Sequence, residues 1–173
     1  LMLYDEAVAA LLGDGARGRM LEIGSYLGAS AVVLAEAVRR QGLGERGRVY
    51  CIDTWQNDAM TEGQLDTNGQ FLHNTRRWSG TVVQVRGSSA NAQLPPPHEM
   101  DLVFIDGGHS YEACQRDIER FAPMVTPGGR LVLHDHCSKP GVARALGELL
   151  ARGEWVIVRA VGSMLSLRRE TWS

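Results

Sequence analysis

A short segment with two glycines is the first place in the chain where chemistry is expected. It reads Glu22-Ile23-Gly24-Ser25-Tyr26-Leu27-Gly28-Ala29-Ser30 and follows a strand-like apolar run. Gly24 and Gly28 allow a tight turn and a close approach of the backbone to a ligand. Ser30 begins a helical pattern, and the free N–H groups of a helix start favour an anionic group such as a carboxylate. Asp53 ends the next strand-like run and suits the two hydroxyls of a ribose, so the pattern predicts a nucleoside site; the alternative is an ordinary turn with a surface acid.

The spacing of the glycines distinguishes between classes of nucleoside. A dinucleotide site carries a second glycine two residues after the first, where the pyrophosphate lies against the backbone. Tyr26 occupies that position, which argues against a pyrophosphate ligand.

The elements that must position these residues alternate between two periodicities. Apolar runs typical of strands are Arg19–Ile23, Arg48–Ile52, Val82–Val85, Asp101–Ile105, Arg130–Leu133, Trp155–Ala160 and Met164–Arg168. Helical spacing occurs near Tyr4–Leu12, over Ala29–Arg40, from the N-cap Ser110 to before Pro123, and about Gly141–Leu150. Strands that alternate with helices predict a doubly wound, Rossmann-like α/β sheet that is mostly parallel.

Two parts of the chain depart from this alternation. Only Val161–Ser163 separate the last two strand-like runs, and parallel strands need a much longer crossover, so this pair must form an antiparallel hairpin. The polar stretch Gln56–Gly80 is expected to form a lid or substrate wall, or an amphipathic helix around Gly69–Trp78. Residues 1–173 are therefore predicted to form a single domain around a seven-stranded sheet.

Composition excludes several classes of protein. The 173 residues are 44% hydrophobic and 22% charged, with a formal net charge of −2 and no basic arm, so neither nucleic acid nor an anionic membrane is an expected partner. The apolar runs are far shorter than the ~20 residues that cross a bilayer. Three cysteines without metal-binding spacing, and no secretion pattern, predict a reduced, cytoplasmic protein.

Five motifs in order resemble those of the class I S-adenosylmethionine-dependent methyltransferases, especially the small-molecule O-methyltransferases. They are the glycine segment above, Cys51-Ile52-Asp53-Thr54-Trp55, Arg86-Gly87-Ser88-Ser89, Phe104-Ile105-Asp106-Gly107-Gly108-His109-Ser110-Tyr111-Glu112, and Pro127-Gly128-Gly129 followed by Leu133-His134-Asp135. The resemblance extends from about Met20 to Leu167. The reversed last strand of that family matches the hairpin deduced above.

The resemblance implies S-adenosylmethionine as the cofactor and a role for each matching residue. The resemblance places the glycine loop, supported by Glu22, and Asp106 near the methionine part of the cofactor. Asp53 is expected at the ribose hydroxyls and the 87–89 turn at the edge of the adenine, while Trp55 either covers the nucleoside or packs in the core. The predicted cofactor-binding residues are Glu22, Gly24, Ser25, Tyr26, Gly28, Ser30, Asp53, Thr54, Trp55, Gly87, Ser88, Ser89 and Asp106.

Asp106 and Asp135 are candidate metal ligands. Each ends a strand, and the family order makes those strands neighbours, where two carboxylates repel unless a cation or a proton lies between them. Some similar O-methyltransferases bind Mg²⁺ at these two points, with an acid or amide beside the second aspartate as the third ligand. Here both neighbours, His134 and His136, are imidazoles. One interpretation is therefore a softer divalent metal with His136 as the candidate third ligand. The alternative is that no metal binds, that Asp106 contacts the cofactor, and that Asp135 caps or hydrogen-bonds a loop.

His109, three residues after Asp106, is the candidate base. Methyl transfer requires the acceptor oxygen to lose its proton around the time of attack, and a neutral imidazole, with an ordinary pKa of ~6.5, suits that task. In similar sugar O-methyltransferases a histidine at this Asp-x-x-His spacing has that role. The alternative is that His109 orders its loop by bonding to the backbone or to Asp106.

These features predict an O-methyltransferase that acts with His109, Asp106 and Asp135 and is assisted by the histidine or by Mg²⁺ or another divalent metal. The expected acceptor is a hydroxyl of a small molecule, a sugar or a secondary-metabolite scaffold. Two alternatives are a nucleotide-dependent oxidoreductase on a similar sheet and a non-catalytic cofactor-binding subunit. Because the short segment before the sheet leaves the pocket poorly covered, a homo-oligomer is expected.

Overall fold

The computed structural model describes residues 2–13, 15–44, 46–57 and 63–170, which form a seven-stranded sheet with helices on both faces. The strands are β1 (Arg19–Ile23), β2 (Arg48–Asp53), β3 (Val82–Arg86), β4 (Met100–Ile105), β5 (Val125–Leu133), β6 (Trp155–Val161) and β7 (Met164–Arg169). The helices are α1 (Met2–Leu11), α2 (Ala29–Arg40), α3 (Asn68–Thr75), α4 (Tyr111–Phe121) and α5 (Pro140–Ala151). Short 3₁₀ turns, Arg76–Trp78 and Ala122–Met124, follow α3 and α4.

The strand order is β3-β2-β1-β4-β5-β7-β6. The first five strands in this order pair in parallel, whereas β7 is antiparallel to both β5 and β6. The prediction of a mostly parallel Rossmann-like sheet with an antiparallel C-terminal hairpin is therefore confirmed. The direction in which successive strands are added reverses between β1 and β4, and in such sheets the crevice at this point is where ligands bind.

Two apolar cores cover the two faces of the sheet. Helices α1, α2 and α3 pack on one face through residues such as Leu34 and Phe71. Helices α4 and α5 pack on the other through residues such as Ile118 and Leu146. Because both faces are covered, the central strands carry apolar residues on both faces rather than alternating apolar and polar ones; Glu22 in β1 and Asp101 in β4 are buried acids within them.

Local signals explain where the helices around the site begin and end. Gly28 precedes α2 in a left-handed conformation, and the Ser110 hydroxyl caps α4 by accepting a bond of 3.2 Å from the Ala113 N–H. Helix α3 lies inside the polar stretch 56–80 and buries Phe71 and Thr75, so this part is a packed amphipathic helix; residues 58–62 lie outside the described part. Among the described helices, none combines the length and the apolar character needed to cross a bilayer.

Candidate active site

The four loops that follow β1, β3, β4 and β5 are each tied to a neighbouring strand by a backbone hydrogen bond that continues the pairing of the sheet past its edge. Each bond anchors the first residue of a loop to the adjacent strand, so the loops inherit the spacing and register of the sheet. The bonds run from the N–H of Gly87 to Asp53, of Gly24 to Ile52, of Asp106 to Ile23 and of His134 to Ile105, over 2.8–3.0 Å.

The loops after β1 and β4 approach each other backbone to backbone. Gly24 has a φ of +88°, and a Cβ at this position would lie 2.1 Å from the carbonyl oxygen of Asp106. Gly28 has a φ of +86°, and a Cβ there would lie 2.8 Å from Cγ2 of Thr75. Both positions therefore require glycine, for conformation and for space.

A cavity of about 320 Å³ opens between the loops after β1, β2, β3 and β4. Predicted cofactor-binding residues that line it are Gly24, Asp53, Thr54, Gly87, Ser88 and Ser89. Further lining residues, which were not among the predicted site residues, are Ile23, Ile52, Gly107, Gly108, Ala113, Arg116 and Asp117. Gly107 and Gly108 lie between Asp106 and His109 in the Asp-Gly-Gly-His motif, and this location is the sequence signal from which they could be predicted to line the site.

Asp53 is fixed from two sides at the cavity wall. Its Oδ2 accepts a bond of 2.8 Å from the N–H of Tyr26, and its Oδ1 accepts one of 2.6 Å from the N–H of Trp55. Both donors have left-handed backbones, with φ of 44° and 54°, which are unfavourable for aromatic residues unless neighbouring groups hold them. Each carboxylate oxygen retains a second lone pair, so Asp53 can still accept bonds from a ligand.

The structure corrects the prediction for Trp55. Its ring is fully buried, lies 4.7 Å from the ring of Phe71 between centroids, and donates a 3.0 Å bond from Nε1 to the Tyr26 carbonyl. It does not line the cavity, because apolar packing against α3 holds it in the core. The alternative prediction, that Trp55 packs in the core, is the correct one.

Glu22 lies beneath the glycine loop rather than in the cavity. It is fully buried, and its carboxyl group lies close to the hydroxyls of Ser30 and Ser25 and to the thiol of Cys51 without a well-aligned hydrogen bond. Burial raises its pKa from 4.5 to about 7, although the hydroxyls and the thiol oppose the shift. Ser25 and Ser30 therefore support the loop from below instead of lining the cavity.

Of the other predicted residues, Tyr26, Gly28 and Asp106 also lie outside the cavity lining. The Tyr26 side chain is partly exposed, and Gly28 sits against α3. Asp106 belongs to a neighbouring cluster of titratable groups.

This histidine–carboxylate cluster consists of Asp106, His109, His134 and Asp135, at the ends of β4 and β5. Nε2 of His109 lies 3.1 Å from Oδ2 of Asp135, although the two are not aligned for a hydrogen bond. Nδ1 of His134 lies 3.1 Å from Oδ1 of Asp106 and 3.6 Å from Oδ2 of Asp135. Two acids thus share the region with two imidazoles, which can compensate the repulsion between them.

The two carboxyl groups have different proton affinities. Burial raises the pKa of Asp106 and the nearby Asp135 charge adds to this, while His134 and His109 oppose it. For Asp135, burial acts in the same direction, but the Ser138 hydroxyl and the two imidazoles outweigh it and hold its pKa below the ordinary value. The Ser138 hydroxyl donates a bond of 2.7 Å to Oδ1, and Asp135 has a left-handed backbone with a φ of 58°. Asp135 is therefore the acid more readily held as an anion.

The prediction of His136 as the third metal ligand is corrected in favour of His134. Asp106, His134 and Asp135 can each place one ligand atom within 4.8 Å of the others, whereas Nδ1 of His136 lies 2.8 Å from the Ser163 carbonyl. The Ser163 hydroxyl also contacts Nε2 of His134, at 2.8 Å. The turn between β6 and β7 therefore holds both histidines, a contact that sequence spacing gave no means of finding. Two carboxylate oxygens and one imidazole nitrogen are a donor set that fits a divalent metal.

Comparison with known proteins places this geometry in a family. A family model described as a methyltransferase domain matches residues 21–136, which include the glycine loop, the cavity and the cluster. A curated, uncharacterised protein of Sinorhizobium fredii, y4gI, is 25% identical over 125 residues. The match covers 68% of this chain and only 13% of that relative.

Solved structures agree with this assignment at the level of the fold. The O-methyltransferase NovP superposes with a TM-score of 0.80 at 16% identity, covering 98% of this chain and 80% of its own. CalS11, a TDP-rhamnose 3'-O-methyltransferase in calicheamicin biosynthesis, superposes with a TM-score of 0.70 at 15% identity, covering 96% and 75%.

The buried carboxyl group of Glu22 predicts a measurable pH dependence of stability. Its folded pKa of about 7 exceeds the ordinary 4.5, so its contribution is fully present below the ordinary value and is lost as the pH rises through 7. Burying the charge at higher pH costs on the order of 3 kcal/mol. We expect Glu22→Gln to be more stable than the wild type near pH ~8, with the difference shrinking toward pH ~5, in urea unfolding.

Glu99→Gln is the matched control, because Glu99 is an exposed carboxylate paired with Arg17. It should keep the wild-type pH profile. Parallel unfolding profiles for the wild type and Glu22→Gln would contradict the assignment to Glu22.

Proposed function

We propose that this chain, which belongs to the methyltransferase-domain family and is a class I S-adenosylmethionine-dependent methyltransferase, methylates a hydroxyl oxygen of a small molecule. The proposed acceptor class is a sugar or a secondary-metabolite scaffold. Two solved relatives in fold support this class, since NovP is an O-methyltransferase and CalS11 acts on TDP-rhamnose. Membership of this family argues against the alternative that the chain is a nucleotide-dependent oxidoreductase.

The observation that carries the proposal is the pairing of His109 with Asp135 beside the cavity. Gly107 and Gly108 line the cavity, and His109 follows them directly. Its Nε2 is buried and lies 3.1 Å from the Asp135 carboxylate. A histidine with one ring nitrogen next to an anion is suited to act as a general base, because the anion stabilises the imidazolium that forms.

The residues along the cavity fit the cofactor in their chemistry. S-adenosylmethionine supplies a methyl group on a positively charged sulfur. Asp53 and Thr54 would bind its ribose hydroxyls, Ser88 and Ser89 would border its adenine, and the Gly24 backbone would lie against its methionine part. The missing side chain at Gly24 leaves room for such an approach.

The chain's own proton chemistry follows from the cluster. Because Nε2 of His109 faces Asp135, Nδ1 is the nitrogen that takes the proton from the acceptor hydroxyl. Asp135 stabilises the imidazolium that forms, and the Ser138 hydroxyl keeps Asp135 in place. Proton transfer to a positioned base contributes about 10²–10⁴-fold to a rate.

A divalent metal held by Asp106, His134 and Asp135 is the second candidate for activating the acceptor. These three residues are the candidate metal group among the described residues. The imidazole in the set favours Mn²⁺, Fe²⁺ or Zn²⁺ over Mg²⁺, which prefers oxygen ligands. A bound ion would lower the pKa of a coordinated hydroxyl, as it does for water.

The acceptor class is tested by methyl transfer from labelled S-adenosylmethionine to a panel of sugars, nucleotide sugars, phenols, amines and thiols. We expect label on hydroxyl acceptors, at an oxygen position located by mass spectrometry. Transfer to amines or thiols alone would contradict the proposed function.

The base is tested by His109→Gln, which keeps a polar side chain but cannot take up a proton at neutral pH. We expect kcat to fall by about 10²-fold or more, while calorimetric affinity for S-adenosylhomocysteine changes by less than about threefold. His98→Gln is the control, because His98 is exposed in the loop before β4 and touches the Leu94 carbonyl. Wild-type turnover in His109→Gln would remove His109 as the base.

The metal is tested by calorimetric titration of chelator-treated protein with Mn²⁺ and with Mg²⁺. We expect one binding event that favours Mn²⁺ and that His134→Ala abolishes, because an imidazole ligand is then lost. His73→Ala, on the exposed side of α3, should leave it unchanged. Absence of binding, or equal binding by His134→Ala, would contradict the metal site.

A further inference from the structure

Asp117 is a buried acid at the wall of the cavity that the mechanism above does not use. It lies on α4, its side chain is 1% exposed, and it lines the cavity together with Ser88 and Ser89. Oδ1 has no hydrogen-bond partner among the described residues. The Asp117 side chain is therefore shielded from solvent except where it borders the cavity.

The surrounding residues leave this oxygen without a donor. The Ser89 side chain interacts with the carboxyl group, but burial still raises the pKa of Asp117. Arg120 donates to the carbonyl oxygens of Ser89 and Ala92 instead, and Arg116, which is exposed and also lines the cavity, does not hydrogen-bond to Oδ1. Leaving a carboxyl oxygen buried and unpaired costs free energy that a bound donor would recover.

The glycines next to Asp117 open a path from the cavity to it. A Cβ at Gly107 would lie 3.3 Å from Oδ2 of Asp117, and a Cβ at Gly108 would lie 2.8 Å from Cβ of Ala113. Side chains at these two positions would therefore close the space between the loop after β4 and helix α4. A flat group that enters between the 88–89 turn and this loop would present its edge to Asp117.

We propose that Asp117 is a specificity-determining residue that accepts a hydrogen bond from the 6-amino group of the cofactor's adenine. The inference rests on the placement of the adenine in the proposed function. A hydrogen bond donated to this carboxyl group favours its ionised form, which only accepts hydrogen bonds, and the 6-amino group of adenine only donates them. A hypoxanthine base carries a carbonyl oxygen at this position, which would face the carboxylate without a donor.

The test is the ratio of two affinities, measured by calorimetry for S-adenosylhomocysteine and for S-inosylhomocysteine. We expect the wild type to bind the adenosyl compound at least about tenfold more tightly, because sites built to pair a ligand N–H reject analogues that lack it. In Asp117→Asn the ratio should fall below about threefold, because an amide can donate to the carbonyl oxygen and accept from the amine. A residue that only supports the fold would not change this ratio.

Glu119→Gln is the matched control, since Glu119 lies on the same helix, is exposed and is outside the cavity lining. It should keep the wild-type ratio. If Asp117→Asn does not fold by circular dichroism, Asp117→Ser replaces it, with the same narrowing expected.

Two results would overturn the proposal while leaving the proposed function intact. One is a wild-type ratio below about threefold, and the other is a wild-type ratio retained by the Asp117 variant. Failure of the wild type to bind either compound would instead overturn the placement of the cofactor, and with it both proposals.

Discussion

The site depends on the continuation of backbone pairing beyond the carboxyl edge of the parallel strands. One N–H at the start of each loop bonds to the adjacent strand, so the loops after β1, β3, β4 and β5 keep the order and spacing of the sheet. The contact between Gly24 and the Asp106 carbonyl is the tightest of these approaches. It brings the glycine loop, which borders the cavity, next to Asp106 of the histidine–carboxylate cluster. The binding cavity and the titratable groups are adjacent because β1 and β4 are adjacent strands.

Electrostatics then separates the acids that this geometry crowds together. Glu22, buried below the loop, resists ionisation, and burial raises the pKa of Asp106 as well. Asp135 receives a hydroxyl donor and faces two imidazoles, so it is the acid held as an anion. The proposed pairing of His109 with Asp135 follows from that difference, since an imidazolium needs a nearby anion.

Local patterns in the chain predicted the strands, the hairpin and the glycine loop, because apolar periodicity and turn residues act over a few residues. The structure differs from these predictions at residues whose positions are set by contacts with elements distant in the chain. Trp55 follows Asp53 and resembled a cofactor contact, but α3 supplies Phe71 and draws its ring into the core. The turn at Ser163 contacts His136 through its carbonyl and His134 through its hydroxyl, and Nδ1 of His134 then lies beside the carboxylates. Asp117 reaches the cavity from α4, and the spacing of the binding motifs carried no sign of it.

If the cavity and the cluster form one site, a crystal structure of the complex with S-adenosylhomocysteine will show the ligand reaching from one to the other. We expect the adenosyl group between the 53–54, 87–89 and 107–108 segments, with Asp53 at the ribose and the sulfur directed toward His109 and Asp135. An adenosyl group bound outside this cavity, or a sulfur directed away from the cluster, would contradict it.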